Sequence, residues 1–323
     1  MISLILWIII FVSALTLLVK SSDWFTDAAE RIGVSLRLSP FIVGVTIVAI
    51  GTSLPELVSS IVAVLAGAPE IVIGNVIGSN ITNILLIIGV TGIIAKKLII
   101  ARELIKVDLP LLIGSAFLAG FMLIDGTFSR FDALLSIALL VVYLLFTFTS
   151  EKHSDTEIKK EFHAEEQAIH KELRHRFIWR DWAALIISGG LIYLSAHYTI
   201  QSVINIATST NYGTDIIAAT AVALGTSLPE LSVSIAAAKK HKAEMAIGNI
   251  LGSNIFNTLA VLSVPALIKP LSANGTILAF GLPVMIAVSL LYLFITQDRE
   301  LTKWEGWLLI IFYFFFIVKL ITG

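Results

Sequence analysis

The stretch Gly51-Thr-Ser-Leu-Pro-Glu-Leu57 recurs letter for letter at Gly225–Leu231, and both copies sit inside long apolar runs. A proline removes a backbone donor from a helix interior. A carboxylate at membrane depth costs about 2.5–3.5 kcal/mol even on the lenient insertion scale. A chain that accepts both twice, in matching places, gains a function from them. Gly225 stands 174 residues after Gly51, and GNVIGSNITN at 74–83 returns 174 residues later as GNILGSNIFN at 248–257. The constant offset means that the whole block from 51 to 83 is duplicated without a gap.

Around these motifs the chain is unusually apolar. Hydrophobic residues make up 57% of 323 and charged residues 14%, with mean hydropathy +0.94. A soluble domain carries about a quarter charged residues, so the composition places this chain in a bilayer. A spanning helix needs about 20 mostly apolar residues. Ten runs qualify: 2–19, 40–66, 71–95, 107–124, 132–149, 182–205, 214–238, 245–268, 276–296 and 304–321. The first is read as a membrane helix and not a signal peptide, because Met1–Trp7 holds no Lys or Arg and no small-residue cleavage site precedes Asp23. The fold expected is all-α, ten transmembrane helices arranged as two inverted five-helix repeats with interrupted helices at the midplane.

Charge sets the orientation. Basic residues favour cytoplasmic loops, and with both termini outside all but Arg130, Lys269 and Lys319 of the 22 basic residues fall on the inner side. The inner set includes Lys20, Arg31 and Arg37 after the first run and Lys239, Lys240 and Lys242 after the seventh. A net charge of −1 gives no reason to expect a nucleic-acid partner. The absence of cysteine excludes disulfides, thiolate metal sites and a Cys nucleophile. No HExxH, GxSxG or Cys/His pair occurs, so no enzyme is expected, and His197 and His241 read as interfacial residues.

Five helices separate each motif from its copy, and an odd number reverses the direction of travel. Inverted repeats with broken helices near the midplane mark secondary transporters. The chain therefore divides into a first repeat at 1–150, a charged cytoplasmic linker at 151–181 and a second repeat at 182–323. In the linker, Ile158, Phe162, Ile169 and Leu173 suggest a short amphipathic surface helix. Its His153, His163, His170 and His175 belong to a solvated charged face more naturally than to a metal site.

Gly51 with Pro55, and Gly225 with Pro229, should break their helices and free backbone carbonyls, which membrane depth tolerates only around a cavity. Thr52, Ser53 and Glu56 can face one way at helical spacing, and so can Ser79 with Asn83 and Ser253 with Asn257. This is a cluster of hard oxygens without imidazole or thiolate. It suits calcium, magnesium or alkali ions. Calcium accepts six to eight oxygens flexibly, whereas magnesium demands tight octahedra, so calcium fits best and sodium fits the same donors. Gly74/Gly78 and Gly248/Gly252 read as close helix packing. Asn75, Asn80, Asn249 and Asn254 read as partners of irregular backbone, and Glu70 and Glu244 as first-turn acids on the helix dipole.

At these residues the chain resembles the cation/calcium exchanger superfamily, whose two inverted repeats carry GTSLPE-like and GNxxGSNxxN/D-like motifs. Within it the chain looks like the sodium/calcium exchanger branch. The resemblance implies that Glu56 and Glu230 bind calcium and share it with sodium, with Thr52 and Thr226 completing the calcium shell. It implies sodium ligands at Ala49, Ser53, Ser79, Ala223, Thr226, Ser227 and Ser253, a central position for Asn83 and Asn257, and exchange of several sodium ions, typically three, for one calcium. Many relatives carry Asp where this chain has Asn257, which leaves two central carboxylates and weakens any case for potassium co-transport. A Ca2+/H+ antiporter is the nearest alternative, although the Asn-Ala motif and further acids of the proton-coupled branch are missing. A cation channel would more naturally build its filter at an oligomer axis. The chain is expected to work as a monomer in a plasma membrane, with runs 1 and 6 as the sliding gate.

Overall fold

The computed structural model describes residues 4–36, 38–95, 97–99, 107–153, 178–210, 225–273, 275 and 277–322. The apolar runs become helices α1 (Leu4–Leu36), α2 (Pro40–Leu65), α3 (Glu70–Ala95), α4 (Asp108–Met122) and α5 (Arg130–His153) in the first half. The second half contributes α6 (Ile178–Thr210), α7 (Leu228–Lys239), α8 (Ala243–Ile268), α9 (Ile277–Ile295) and α10 (Lys303–Thr322). The N-terminal part of the seventh run lies outside the described residues, as do most of the linker, its expected amphipathic helix and Ala223.

Local chemistry starts these helices. Ser39 accepts from the Ile42 amide ahead of Pro40 at the first helical position of α2, a capping serine followed by a residue whose missing N–H costs nothing there. The carboxylates of Asp132 and Glu305 accept from the Ser129 and Thr302 amides just before α5 and α10, in the manner of a capping box. Helix α2 ends at Gly67, φ +87°, with Ala68 N–H donating to Ala63 C=O at 2.9 Å. At the end of α7 the repeat-related position is His241, φ 59°, with Lys242 N–H donating to Ala237 C=O at 2.9 Å. The second copy makes the same left-handed turn with a residue that bears a Cβ.

Two helices run further than the charge pattern suggests. The first and sixth runs end at 19 and 205 on the sequence, yet α1 and α6 each continue for 33 residues, about 50 Å at 1.5 Å per residue. The acids taken for a loop, Asp23, Asp27 and Glu30, lie on one face of α1 and meet the α7–α8 turn. Lys240 bonds to Asp27 at 2.8 Å and Lys242 pairs with Glu30, while Arg31 reaches Asp181 of α6 at 2.6 Å. Partners from distant sequence keep this charged stripe helical.

Helices α3 and α8 occupy the centre, with 72% and 83% of their apolar windows buried against 17% for α1. The outer helices show apolar side chains such as Ile9, Val142, Ile187 and Phe314, the surface that lipid would cover. Helix α8 lies against α2 because it presents glycine there. A Cβ on Gly248 would meet Phe41 O at 2.6 Å, and one on Gly252 would meet Val45 O at 2.4 Å and the Ala49 Cβ at 2.7 Å. For Gly74 the nearest atom is the tip of Ile277 at 2.9 Å, and no described atom lies within 4 Å of a Cβ on Gly78. The repeat-related partner of that face falls in 211–224, outside the described residues.

Four short strands, absent from the sequence reading, tie the halves together. β1 (Lys97–Ile99) pairs antiparallel with β4 (Glu300–Thr302), and β2 (Thr127–Phe128) with β3 (Leu271–Ser272). Leu98 opposes Leu301, and 174 residues on from Leu98, Ser272 opposes Thr127. Each sheet is the image of the other under exchange of the halves. Because α4 runs between β1 and β2, the two sheets lie at opposite ends of the bundle, which is the parity that ten crossings require.

Three substitutions check these backbone constraints. Gly252→Ala should prevent recovery of a monodisperse protein from detergent, since its methyl collides with backbone, while Gly190→Ala, with no described atom within 4 Å, should leave the melting curve intact. His241→Gly should raise the melting midpoint through relief of left-handed strain, by about 1 kcal/mol.

Candidate functional site

The sequence places helix breaks at Gly51–Pro55 and Gly225–Pro229, and the structure separates the two. In α2 the backbone is α-helical from Ala49 through Pro55 to Leu65, and the irregularity lies upstream as a π segment at Gly44–Val48. This corrects the assignment of a break to Gly51 and Pro55. The helix tolerates the proline because only the Gly51 carbonyl loses its donor, and the widened turn falls where Gly248 and Gly252 press on the backbone. In the second copy the chain leaves helical geometry at Thr226–Ser227, and α7 starts at Leu228 with Pro229 in its first turn. Asn83 and Asn257 each open a further π segment, Asn83–Ile88 in α3 and Asn257–Val261 in α8. Such bulges collect at functional positions.

These four helices converge. Ser53 Oγ of α2 donates to Glu230 Oε1 of α7 at 3.0 Å. Thr52 Oγ1 donates to Asn249 Oδ1 at 3.1 Å and lies 3.5 Å from Ser253 Oγ of α8. In mirror image, Thr226 Oγ1 donates to Asn75 Oδ1 at 3.4 Å and lies 3.5 Å from Ser79 Oγ of α3. Asn83 Nδ2 donates to Asn254 Oδ1 at 2.9 Å. Glu56 follows Ser53, the partner of Glu230, by three residues on α2, and α2 packs against α7. Ala49 is fully buried on the same helix, and its carbonyl takes a contact from Thr52 Oγ1 at 3.3 Å. Glu56, Ser227 and Asn257 are buried to 1–2% exposure, and the Asn257 segment packs on both α2 and α3. Of the expected ligands, only Ala223 lies outside the described residues.

What these groups lack is informative. Among the described residues, ten buried side-chain polar atoms make no hydrogen bond. Seven belong to this cluster: both oxygens of Glu56, Glu230 Oε2, Asn83 Oδ1, Ser227 Oγ, and the Asn257 Oδ1 and Nδ2. Native interiors leave few polar groups unpaired, and an unpaired buried charge costs several kcal/mol. The ion pairs of α1 lie elsewhere in the bundle. Six of the seven atoms are oxygens, able to ligate a cation or to take a proton. Among the described residues no group of three or more His, Cys, Asp or Glu is placed to hold a metal ion. The chemistry therefore rests on two carboxylates and neutral oxygens, the donor set of hard cations.

The sequence reading gave Asn80, Asn249 and Asn254 to backbone, and all three donate to backbone carbonyls, while Ser234 and Thr258 went unassigned. Asn249 Nδ2 donates to Ser234 Oγ at 2.9 Å and to Glu230 O at 3.4 Å, which anchors the α7 backbone beside the acid. Asn80 and Asn254 each donate to the other's backbone carbonyl at 3.4 Å. Thr258 adds a hydroxyl to this pair. Its signal was visible in the aligned repeats, where the matching residue is Ile84.

The family model for sodium/calcium exchanger protein matches residues 6–149 and 181–322. The sodium/calcium exchanger MaX1 of Methanosarcina acetivorans is 35% identical, with 97% of each chain covered. The inner membrane protein YrbG of Escherichia coli is 31% identical over 90% of this chain and 89% of its own length. Among solved structures, the sodium-calcium exchanger NCX_Mj soaked with zero Na+ and Ca2+ matches with a TM-score of 0.82 at 32% identity, covering 98% of this chain and 100% of that one.

Two single substitutions should shift stability in opposite directions in chelator-treated, sodium-free detergent. Glu56→Gln removes an uncompensated buried charge and should melt above wild type. Ser53→Ala strips the donor from Glu230 Oε1 and should melt below it, by ~1–3 kcal/mol. Tryptophan fluorescence melts read both.

Proposed function

The chain belongs to the sodium/calcium exchanger family, and from that footing we propose that it is a secondary antiporter that exchanges Na+ for Ca2+ across a cell membrane by alternating access at one shared site. The observation that carries this reading is the pair Glu56 and Glu230. One comes from each half, both are 1% exposed, and three of their four oxygens are unpartnered. One calcium ion, or two sodium ions, neutralises the pair.

Calcium takes Glu56, Glu230 and the oxygens of Thr52 and Thr226, within its usual shell of six to eight oxygens at 2.3–2.6 Å. Sodium uses Glu56 and Glu230 with Ala49, Ser53, Ser79, Ala223, Thr226, Ser227 and Ser253. Asn83 and Asn257 stand at the centre as neutral amides. Competition for the same oxygens makes the ions alternate instead of travelling together. An empty site exposes two like charges to a low-dielectric interior, which is costly, so a transition without cargo is suppressed and exchange stays coupled.

Helices α1 and α6 are the proposed moving pair. They share an apolar cluster separate from the one that holds the inner helices together, and meet the rest through residues such as Val43, Val48, Val233 and Met245. Sliding along this seam would open the site to either side without unpacking α3 and α8. The distribution of basic residues supports termini on the outer face, and the cross-paired strands agree with the parity of that topology.

Proteoliposomes loaded with sodium should accumulate radioactive calcium, and Glu56→Gln or Glu230→Gln should reduce the uptake to the level of empty vesicles. Uptake driven by a pH gradient and indifferent to sodium would replace this reading with proton/calcium antiport. Fluxes far above carrier rates would indicate a channel.

A further inference from the structure

Inverted repeats lead each contact across the two halves to appear twice, with both residues shifted by 174. Most do. Thr52 to Asn249 is matched by Thr226 to Asn75, Thr52 to Ser253 by Thr226 to Ser79, and Asn80 to the Asn254 carbonyl by Asn254 to the Asn80 carbonyl. Two contacts of the expected ligands have no twin: Ser53 Oγ to Glu230 Oε1, whose image between Ser227 and Glu56 is not made, and the contact between the central amides. Asn83 Nδ2 donates to Asn254 Oδ1 at 2.9 Å, and its image would be Asn257 Nδ2 donating to Asn80 Oδ1. Both of those atoms are buried and without a partner.

At the amides, Asn80 Nδ2 meets two groups that Asn254 lacks: Met285 Sδ at 3.6 Å, whose counterpart is Leu111, and, much closer, Thr258, whose counterpart is Ile84. The Thr258 hydroxyl donates to the Asn254 carbonyl at 2.9 Å and accepts from Asn80 Nδ2 at 2.8 Å. Ile84 has no hydrogen-bonding group, so nothing draws the Asn254 amide in the same way. Asn254 stays free to accept from Asn83. Asn80 is turned toward Thr258 and withheld from Asn257.

We propose that Thr258 is a positioning residue that makes the two central amides of the site unequal: Asn83 is held with its carbonyl oxygen as a fixed ligand, and Asn257 is left free to turn and adapt to the cation bound. This rests on the proposed cation site and adds to it a division of labour that the duplicated motif does not encode. A fixed oxygen lowers the cost of binding. A movable one follows ions of different coordination and releases them. Immobilising one such side chain is worth about 2- to 10-fold in affinity.

The test is calcium binding by calorimetry on the full chain, together with calcium/calcium isotope exchange in proteoliposomes, neither of which requires sodium coupling. Thr258→Val keeps the shape and removes the hydroxyl, so Asn80 can accept from Asn257 as Asn254 does from Asn83. Binding should tighten by about 2- to 10-fold while maximal exchange slows by a similar factor. Thr258→Ser should restore wild-type values for both. Ile84→Thr, the mirror change, should loosen Asn83 and weaken binding, and it carries the test if Thr258→Val does not fold. Equal behaviour of the Val and Ser variants, or an Ile84→Thr variant that binds calcium as wild type does, overturns the inference. A wild-type chain that binds no calcium overturns the site itself, and the inference with it.

Discussion

The structure is organised around two like charges buried without a basic partner. Glu56 and Glu230 reach one site from opposite halves, and their free oxygens are stable only when something positive joins them. Apolar packing could stabilise a bundle of this size without either acid. At 1% exposure they need partners that the apolar core does not supply, and the neighbouring hydroxyls and amides stand where such partners are wanted. They supply oxygen without adding charge, so under the proposed function one calcium ion would balance the site.

Holding such a site demands precision from a framework that has few polar contacts elsewhere. Glycine provides it by letting helix backbones touch, as at Gly248 and Gly252 against α2 and at Gly89 against Gly306 between α3 and α10. The amide ladder of Asn80, Asn254, Asn249 and Asn83 then locks the crossing helices in register. The π segments beginning at Asn83 and Asn257 turn those side chains inward without ending either helix. A different layer, α1 with α6, lies outside this rigid centre, with its own apolar cluster and its own ion pairs.

Much of this was legible before any coordinates. The ten apolar runs match the described helices to within a few residues for all but the first, sixth and seventh, because hydropathy along a membrane helix is a local property. The glutamates, hydroxyls and central asparagines were visible as a duplicated pattern. Reading charge as a loop failed at α1, where Asp23, Asp27 and Glu30 remain helical because Lys240 and Lys242 come from a turn more than two hundred residues away. Reading glycine and proline as a break succeeded beside Pro229 and failed at Pro55. Identical letters in the two halves do not guarantee identical backbones when the packing partners differ.

The amino-acid sequence alone determined the membrane class, the inverted duplication and the chemical kind of ligand, since composition, offset and residue type need no partner to be read. Only the tertiary structure decided which oxygens meet, where the helices widen and which of two matching amides is held. Those outcomes depend on helix crossings between residues 147 to 201 positions apart, where a single difference such as threonine for isoleucine redirects a hydrogen bond without altering either motif.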